Sequence, residues 1–326
     1  MKKSPFLILF VVVLCLCSSI RAQEPIDVYD GEMDKYTLAD WNLNGPVKTA
    51  IITTLFKMKG DSVFHKKMKT ILNFDTAGRL AAETMIGWGN FENKDIVMDI
   101  FLQFQYDDLN RCTACFGPDN LLLQDFVYDE NGNLSYCVYT HDNGKPKPSW
   151  RYYYDEKGRC TRREYIPGTD EDYLDYTIYQ HFFQYDSMDH CIEKVTMLDG
   201  DTETVKRLKY DVRGNITEEI SYDTPWNCVD HFCQELYFYD DEGRLVRSQT
   251  FYNHVEQDER FYEYNNLNQL IRRKTYNKKE GYLSYLDEMF YDRYGNCVEY
   301  ICSSFLHDQS PGAAFKTTYE YEYVGE

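Results

Sequence analysis

One short pattern governs what this chain can become: an aromatic residue, an aspartate, two loose positions and a turn-forming residue. With the aromatic residue as position zero, it recurs at Phe74, Tyr106, Tyr128, Tyr154, Tyr185, Tyr210, Tyr239, Tyr264 and Tyr291. The next residue is aspartate in every copy except Asn265. Four places after the aromatic residue stand Gly78, Asn110, Gly132, Gly158, Asp189, Gly214, Gly243, Asn268 and Gly295. Glycine, asparagine and aspartate are the residues that tolerate positive φ. An aspartate opening a type I turn accepts a hydrogen bond from the backbone two residues on. A left-handed residue three places later closes a three-residue hairpin loop with a G1 bulge.

That turn fixes a register. The aspartate faces the residue after the turn glycine, so Asp75/Arg79, Asp107/Arg111, Asp155/Arg159 and Asp240/Arg244 are expected cross-strand ion pairs. The aromatic residue faces the sixth position after it, held by Leu80, Cys112, Leu134, Cys160, Cys191, Ile216, Leu245, Leu270 and Cys297. Two places before it the apolar pattern continues, from Leu72 and Phe104 to Tyr262 and Met289. Period-two alternation of this kind, rich in Tyr, Phe, Thr and Val, predicts strands.

Each repeat runs about 27 residues, enough for two strands, a tight turn and a variable return loop. "GPVKTAIITTLF" from Gly45 reads as a leading strand and "TTYEYEYV" as a closing one. The expected fold is all-β, an antiparallel meander of about twenty strands from nine hairpin repeats. Twenty strands at ~4.8 Å spacing make a ribbon roughly 95 Å wide, which must twist or curl. An open curled sheet, or a solenoid-like array that grows one hairpin at a time, is therefore expected over residues 45–326.

The "YDxxGRL" unit closely resembles the RHS, or YD, repeat of bacterial secreted and surface proteins. The resemblance covers roughly Ile71 to Tyr323. It implies long β-ribbons that can spiral into hollow shells, some enclosing a toxin and others displayed in cell adhesion. Such shells need many more repeats than nine, and this sequence stops on a strand. An open curved sheet is the expectation here, and the family carries no shared catalytic residues.

Residues 1–22 read as a secretory signal: Lys2 and Lys3, an apolar run from Phe6 to Cys17, then Ser18, Ser19 and Ala22 before a cut at Gln23. Lipidation at Cys17 is the alternative, disfavoured by the bulk of Leu16. Residues 23–44 form a lead segment. The apolar run is shorter than the ~20 residues of a spanning helix, and no later one is longer. Export to the periplasm, cell surface or exterior follows.

Net charge is −19, and removing Lys2, Lys3 and Arg21 leaves −22. So acidic a surface repels phosphate backbones, which excludes nucleic acid as a natural partner. With 43% apolar and 16% aromatic residues the chain has ample core material.

Nine of the eleven cysteines remain after cleavage. Cys112 and Cys115 form a C-x-x-C, a zinc or redox spacing. Cys112, however, fills a leucine slot, and three residues along an ideal strand reverse the facing. Cys160, Cys191 and Cys297 fill the same slot and read as small buried apolar residues. Cys228 and Cys233 can form a disulfide in the longest return segment; His231 lies beside them, but a fourth metal ligand is missing. "TDEDYLD" (Thr169 to Asp175) concentrates four carboxylates without the order of a calcium loop. His190 replaces the usual Arg or Asn beside a turn and reads as a surface variant. Asn215-Ile216-Thr217 matches a glycosylation acceptor, although the turn already explains the asparagine.

No catalytic motif, metal site or cofactor loop is present. Thirty tyrosines on strands exceed what a one-sided core requires. The leading expectation is a secreted repeat scaffold that binds a glycan or protein ligand through an aromatic-rich face. The alternatives are a glycan-acting hydrolase and a fragment or partner of an RHS-type toxin-delivery system.

Overall fold

The computed structural model describes residues 39–91, 94–140, 146–166, 178–223 and 232–325. Its strands follow the repeat. A leading strand β1 (Val47–Lys57) precedes nine hairpins built on the aspartate turns. The first five are β2 (His65–Phe74) with β3 (Leu80–Phe91), β4 (Lys94–Tyr106) with β5 (Cys112–Phe116), β6 (Leu122–Tyr128) with β7 (Leu134–Thr140), β8 (Pro146–Tyr154) with β9 (Cys160–Ile166), and β10 (Tyr179–Tyr185) with β11 (Cys191–Leu198). The other four are β12 (Asp201–Tyr210) with β13 (Ile216–Asp223), β14 (Phe232–Tyr239) with β15 (Leu245–Tyr252), β16 (Val255–Tyr264) with β17 (Leu270–Asn277), and β18 (Tyr282–Tyr291) with β19 (Cys297–Phe305). The closing strand is β20 (Pro311–Tyr323).

Every strand pairs antiparallel with its successor, and β1 pairs antiparallel with β20. The sheet is a closed twenty-stranded barrel. The expected open curled sheet or solenoid-like array is thereby corrected, while the all-β, antiparallel content stands.

The register explains the closure. Arg207 on β12 faces Ile220 on β13, which faces Gln234 on β14. Arg207 lies three places before its tyrosine, Tyr210, whereas Gln234 lies five before Tyr239. Each hairpin thus shifts the register by two residues. Accumulated around the sheet, that stagger gives the tilt of roughly 40° with which sheets close on themselves. At ~4.8 Å spacing the barrel is then roughly 40 Å across. Closure pairs the two strand edges that an open sheet would leave as templates for aggregation.

The seam copies the other turns with two separate pieces of chain. In each hairpin the residue after position zero donates its amide across the bulge, as Asp75 does to the Arg79 carbonyl at 2.8 Å. At the seam Val324 donates to the Pro46 carbonyl at 2.8 Å, and Val47 faces Tyr323 beside a bulge. Gly45, at φ 78, occupies the turn-glycine place. A tenth turn is assembled from both ends of the described chain.

The wall is one sheet thick: strands in substantial contact are ladder neighbours. Its core is a band of side chains on one face, called here the tyrosine face. Leu72, Leu80, Cys137 and Cys160 are fully buried there. Trp41 and Leu43 of the lead segment pack against its Val47, Leu72, Phe74 and Leu80 cluster.

Candidate functional site

The repeated residues assemble a clamp at the turn end of the barrel. Asp155 accepts the backbone amides of Lys157 and Arg159 on Oδ1 and the Arg159 guanidinium on Oδ2, where Nε at 2.7 Å and Nη2 at 2.6 Å converge. The same guanidinium lies 4.8 Å from the centre of the Tyr185 ring in the next hairpin. Arg79 covers Tyr106, Arg111 covers Tyr128 and Arg244 covers Tyr264 in the same way. His190, read from the sequence as a surface variant, performs both tasks: its Nδ1 meets Asp186 at 3.1 Å and its ring stacks on Tyr210 at 4.5 Å. The Asn215 side-chain amide is spent on Asp211 at 3.0 Å.

Each covered tyrosine reaches back one hairpin. Tyr106 donates its hydroxyl to the Leu80 carbonyl, Tyr128 to Cys112, Tyr210 to Cys191, Tyr264 to Leu245 and Tyr291 to Leu270, all at 2.6–2.9 Å. Tyr321 completes the series on Cys297 at 2.6 Å. The acceptor is in each case the carbonyl of the leucine slot. Burial pushes the Tyr210, Tyr239 and Tyr264 hydroxyls up to about 12, so they remain donors. These tyrosines hold hairpin to hairpin, which accounts for much of the ring surplus.

The turn residues Gly78, Gly132, Gly158, Gly214, Gly243 and Gly295 all lie at positive φ, between 77° and 88°. Asn110, Asp189 and Asn268 adopt the same conformation at 61–69°. The glycines act through conformation alone, whereas Asn110, Asp189 and Asn268 also accept from the clamp arginines of the preceding hairpin, Arg79 at 2.8 Å, Arg159 at 2.6 Å and Arg244 at 3.0 Å.

The cysteines need one correction. Cys112 and Cys115 do not face opposite ways: Cys112 pairs with Tyr106 and Cys115 with Phe104, and both are buried in one cluster. The bulge absorbs one residue between them and restores the facing. Burial raises the Cys115 thiol to about 12 and the Cys191 thiol to about 11, which removes the thiolate that redox or zinc chemistry requires. Cys233 lies on β14, while Cys228, His231 and Thr169 to Asp175 lie outside the described residues.

Ionisable residues from different repeats do meet on the tyrosine face. Asp287, 1% exposed, receives Arg273 Nε at 2.7 Å and the Tyr300 hydroxyl at 2.7 Å. Cys302 stands beside them, its thiol raised to about 12 by burial and by the Asp287 carboxylate. A nucleophile needs the opposite shift. The cluster is a buried ion pair with its hydrogen bonds satisfied, a means of setting register rather than of catalysis.

A second patch on this face has a different character. Trp150 of β8 stacks on His181 of β10 at 5.4 Å and lies 4.9 Å beneath the Arg163 guanidinium of β9. Its ring also meets Tyr165 at 5.5 Å, and Tyr165 meets Tyr179 at 6.4 Å. Tyr179 is 37% exposed. This group of rings and cations stands apart from the tyrosine ladder. Sequence reasoning missed it because Trp150, Arg163 and His181 occupy three strands and share no motif. Their common parity about the turns, four before Tyr154, nine after it and four before Tyr185, was the available signal.

No family model matches the chain, and no curated protein matches it. Solved structures do. The TcdB2-TccC3-Cdc42 complex is similar over 73% of this chain and 16% of that one, at 12% identity and a TM-score of 0.33. A porin-like protein from Bacteroides uniformis is similar over 86% of this chain and 99% of that one, at 10% identity and a TM-score of 0.38. One from Bacteroides vulgatus covers 73% and 97%, at 11% identity and 0.28. This chain spans about a sixth of the first structure's length. Likeness at this level decides no function, and the RHS/YD resemblance continues to rest on the repeat.

Proposed function

We propose that this protein is an exported, non-catalytic scaffold whose barrel wall binds a glycan or protein ligand. The observation that carries the reading is the Trp150, Tyr165 and Tyr179 cluster, with Tyr179 open to solvent and Arg163 and His181 against the tryptophan. Rings beside fixed cations, on a rigid wall, suit sugar faces and protein hot spots.

Two further observations support it. The meeting of Arg273, Asp287, Tyr300 and Cys302 is satisfied internally and its thiol is shifted away from reactivity, which disfavours the hydrolase alternative. Both faces of the wall carry charge: Lys206–Glu219 and Arg273–Asp287 on the tyrosine face, Arg207–Glu193 and Arg247–Glu259 on the other. Lipid-facing barrel walls carry an uninterrupted apolar band about 25 Å tall, and charges in it are costly. These strands are therefore suited to aqueous surroundings on both sides. Among the described residues no helix is long and apolar enough to cross a membrane.

The test is a glycan-array and protein-binding screen of the chain from Gln23 to Glu326, run beside Trp150→Ala. A hit lost in the variant supports the reading. Silence in both screens, with the barrel folded, contradicts it.

A further inference from the structure

The wall has one notch. β4 pairs with β3 along Lys94–Gln103 but with β5 only along Gln103–Tyr106. On the β5 side, the nine residues Lys94–Leu102 have no strand beside them among the described residues. Elsewhere in the described wall no strand overhangs its neighbour by more than four residues, the length by which β3 passes β2 beyond Gly87. The cause lies in β5, which stops at Phe116. Gly117 and Pro118 open a tight turn there: the Gly117 amide donates to the Leu121 carbonyl at 2.8 Å and Leu121 to Pro118 at 3.1 Å. Asp119 and Asn120, at φ 56 and 57, take its two left-handed places. The chain turns back onto β5, and β4 runs on alone. Its Met98–Leu102 stretch is firmly backed, because Gly87 of β3 pairs with both Met98 and Met68 of β2. Five residues make an edge roughly 17 Å long. At the inner corner of the notch lies a cavity of about 400 Å³, lined by Gln103, Gln105, Phe116 and Asn120 with Ala81 and Phe104. Gln103, Gln105 and Asn120 are exposed, and among the described residues their side-chain amides have no hydrogen-bond partner.

We propose that the notch docks an extended segment of a partner protein, which adds to β4 as a further strand and seats one end in the cavity. The site goes beyond the ring cluster of β8–β10 and does not depend on it. An unpaired edge is a row of backbone donors and acceptors, and a matching strand satisfies them while side-chain pockets set specificity. Leu102 packs against the apolar cluster of the tyrosine face, whereas Gln103 and Phe116 face each other on the opposite side. The incoming segment therefore alternates, apolar beside Leu102 and polar beside Gln103. The three amides both donate and accept, which suits a neutral polar side chain at the seated end. Charge decides against a second copy as the occupant: two chains of net charge −19 repel each other, and the segment that docks carries no net negative charge.

Panning a phage-displayed library of random decapeptides on the chain from Gln23 to Glu326 supplies the probes, and synthetic copies are titrated by fluorescence anisotropy. The recovered peptides should alternate apolar and polar residues and carry no net negative charge. N-methylation of alternate backbone nitrogens, which deletes ladder donors, should weaken them about ten-fold or more, the weight of one or two hydrogen bonds. Gln103→Ala and Asn120→Ala should each weaken binding several-fold. Gln184→Ala, at an exposed glutamine on β10, should leave it unchanged. The three side chains are exposed, and folding of each variant is checked by its thermal transition. Bound peptide should also slow hydrogen exchange across Met98–Leu102. Peptides that tolerate N-methylation, or that leave Met98–Leu102 exchanging as before, overturn the proposal. So does a panning of folded protein that recovers no binder. Dimers in analytical ultracentrifugation, with the same β4 amides protected, overturn the partner in favour of a second copy.

Discussion

The side-chain amide of Asn296 donates to the Tyr323 hydroxyl at 2.9 Å, across the place where the two ends of the barrel meet. The same amide donates to the Asn44 carbonyl at 2.8 Å, and the Asn296 side-chain oxygen accepts from the Asn44 amide at 2.6 Å. Asn296 is 1% exposed. One buried residue of the ninth turn therefore holds both pieces of the tenth.

Asn296→Ala removes all three bonds, the one to Tyr323 buried and the two to the exposed Asn44 half-buried. A hydrogen bond contributes about 0.5–1.5 kcal/mol net, so a loss on the order of 2–3 kcal/mol is expected. Urea unfolding monitored by tyrosine and tryptophan fluorescence measures it. A change below about 0.5 kcal/mol would show that the seam is not held here.

The tyrosine ladder makes a quieter prediction. Tyr264→Phe keeps the ring under Arg244 and deletes only the hydroxyl that reaches the Leu245 carbonyl. A loss of about 1 kcal/mol is expected from one buried hydrogen bond. Phe74, the one repeat that lacks the hydroxyl, follows the seam rather than another hairpin, and Phe74→Tyr should bring no comparable gain. Equal and opposite effects in the two variants would contradict the ladder.

Much of this was legible before any coordinates. The turn residues, the facing of Asp75 and Arg79 and the slot shared by Leu80 and Cys160 follow from spacing, because a three-residue bulged loop permits one register. Closure did not follow. Gly45 and Tyr323 each look like fragments of a repeat, and only pairing reveals that they complete one another. The facing of Cys115 was misread because the bulge sits between it and Cys112. The Trp150 patch was invisible for a related reason: its members share parity around different turns, not proximity in sequence.

Acid should weaken the barrel steeply. Backbone donation from Arg159, followed by the Arg159 side chain, lowers the Asp155 pKa below 3.8; Asp107 is lowered first by the Arg111 amide and Asp211 first by the Asn215 side chain. A carboxylate depressed in the folded state stabilises the fold above its unfolded pKa of ~3.9, and that contribution vanishes as pH falls through the folded value. Because the turn is repeated, the losses coincide. Urea midpoints should be flat between pH 7 and 5 and fall sharply below about pH 4. A midpoint unchanged at pH 3 would contradict the clamp.

Thiol chemistry should be silent in the folded barrel. Burial raises Cys115 to about 12 and Cys191 and Cys297 to about 11, leaving little thiolate at pH 8. Labelling by a thiol reagent, mapped by mass spectrometry, should reach these three residues only in denaturant. Rapid labelling of any of them in native protein would place that slot outside the core.

Hydrogen exchange across the seam tests the closed barrel most directly. With β1 and β20 paired, amides of Val47–Lys57 and Pro311–Tyr323 should be protected as strongly as those of the β16–β17 hairpin. An open sheet would instead leave one unpaired edge on each strand, and alternate amides along both would exchange orders of magnitude faster than the hairpin interior.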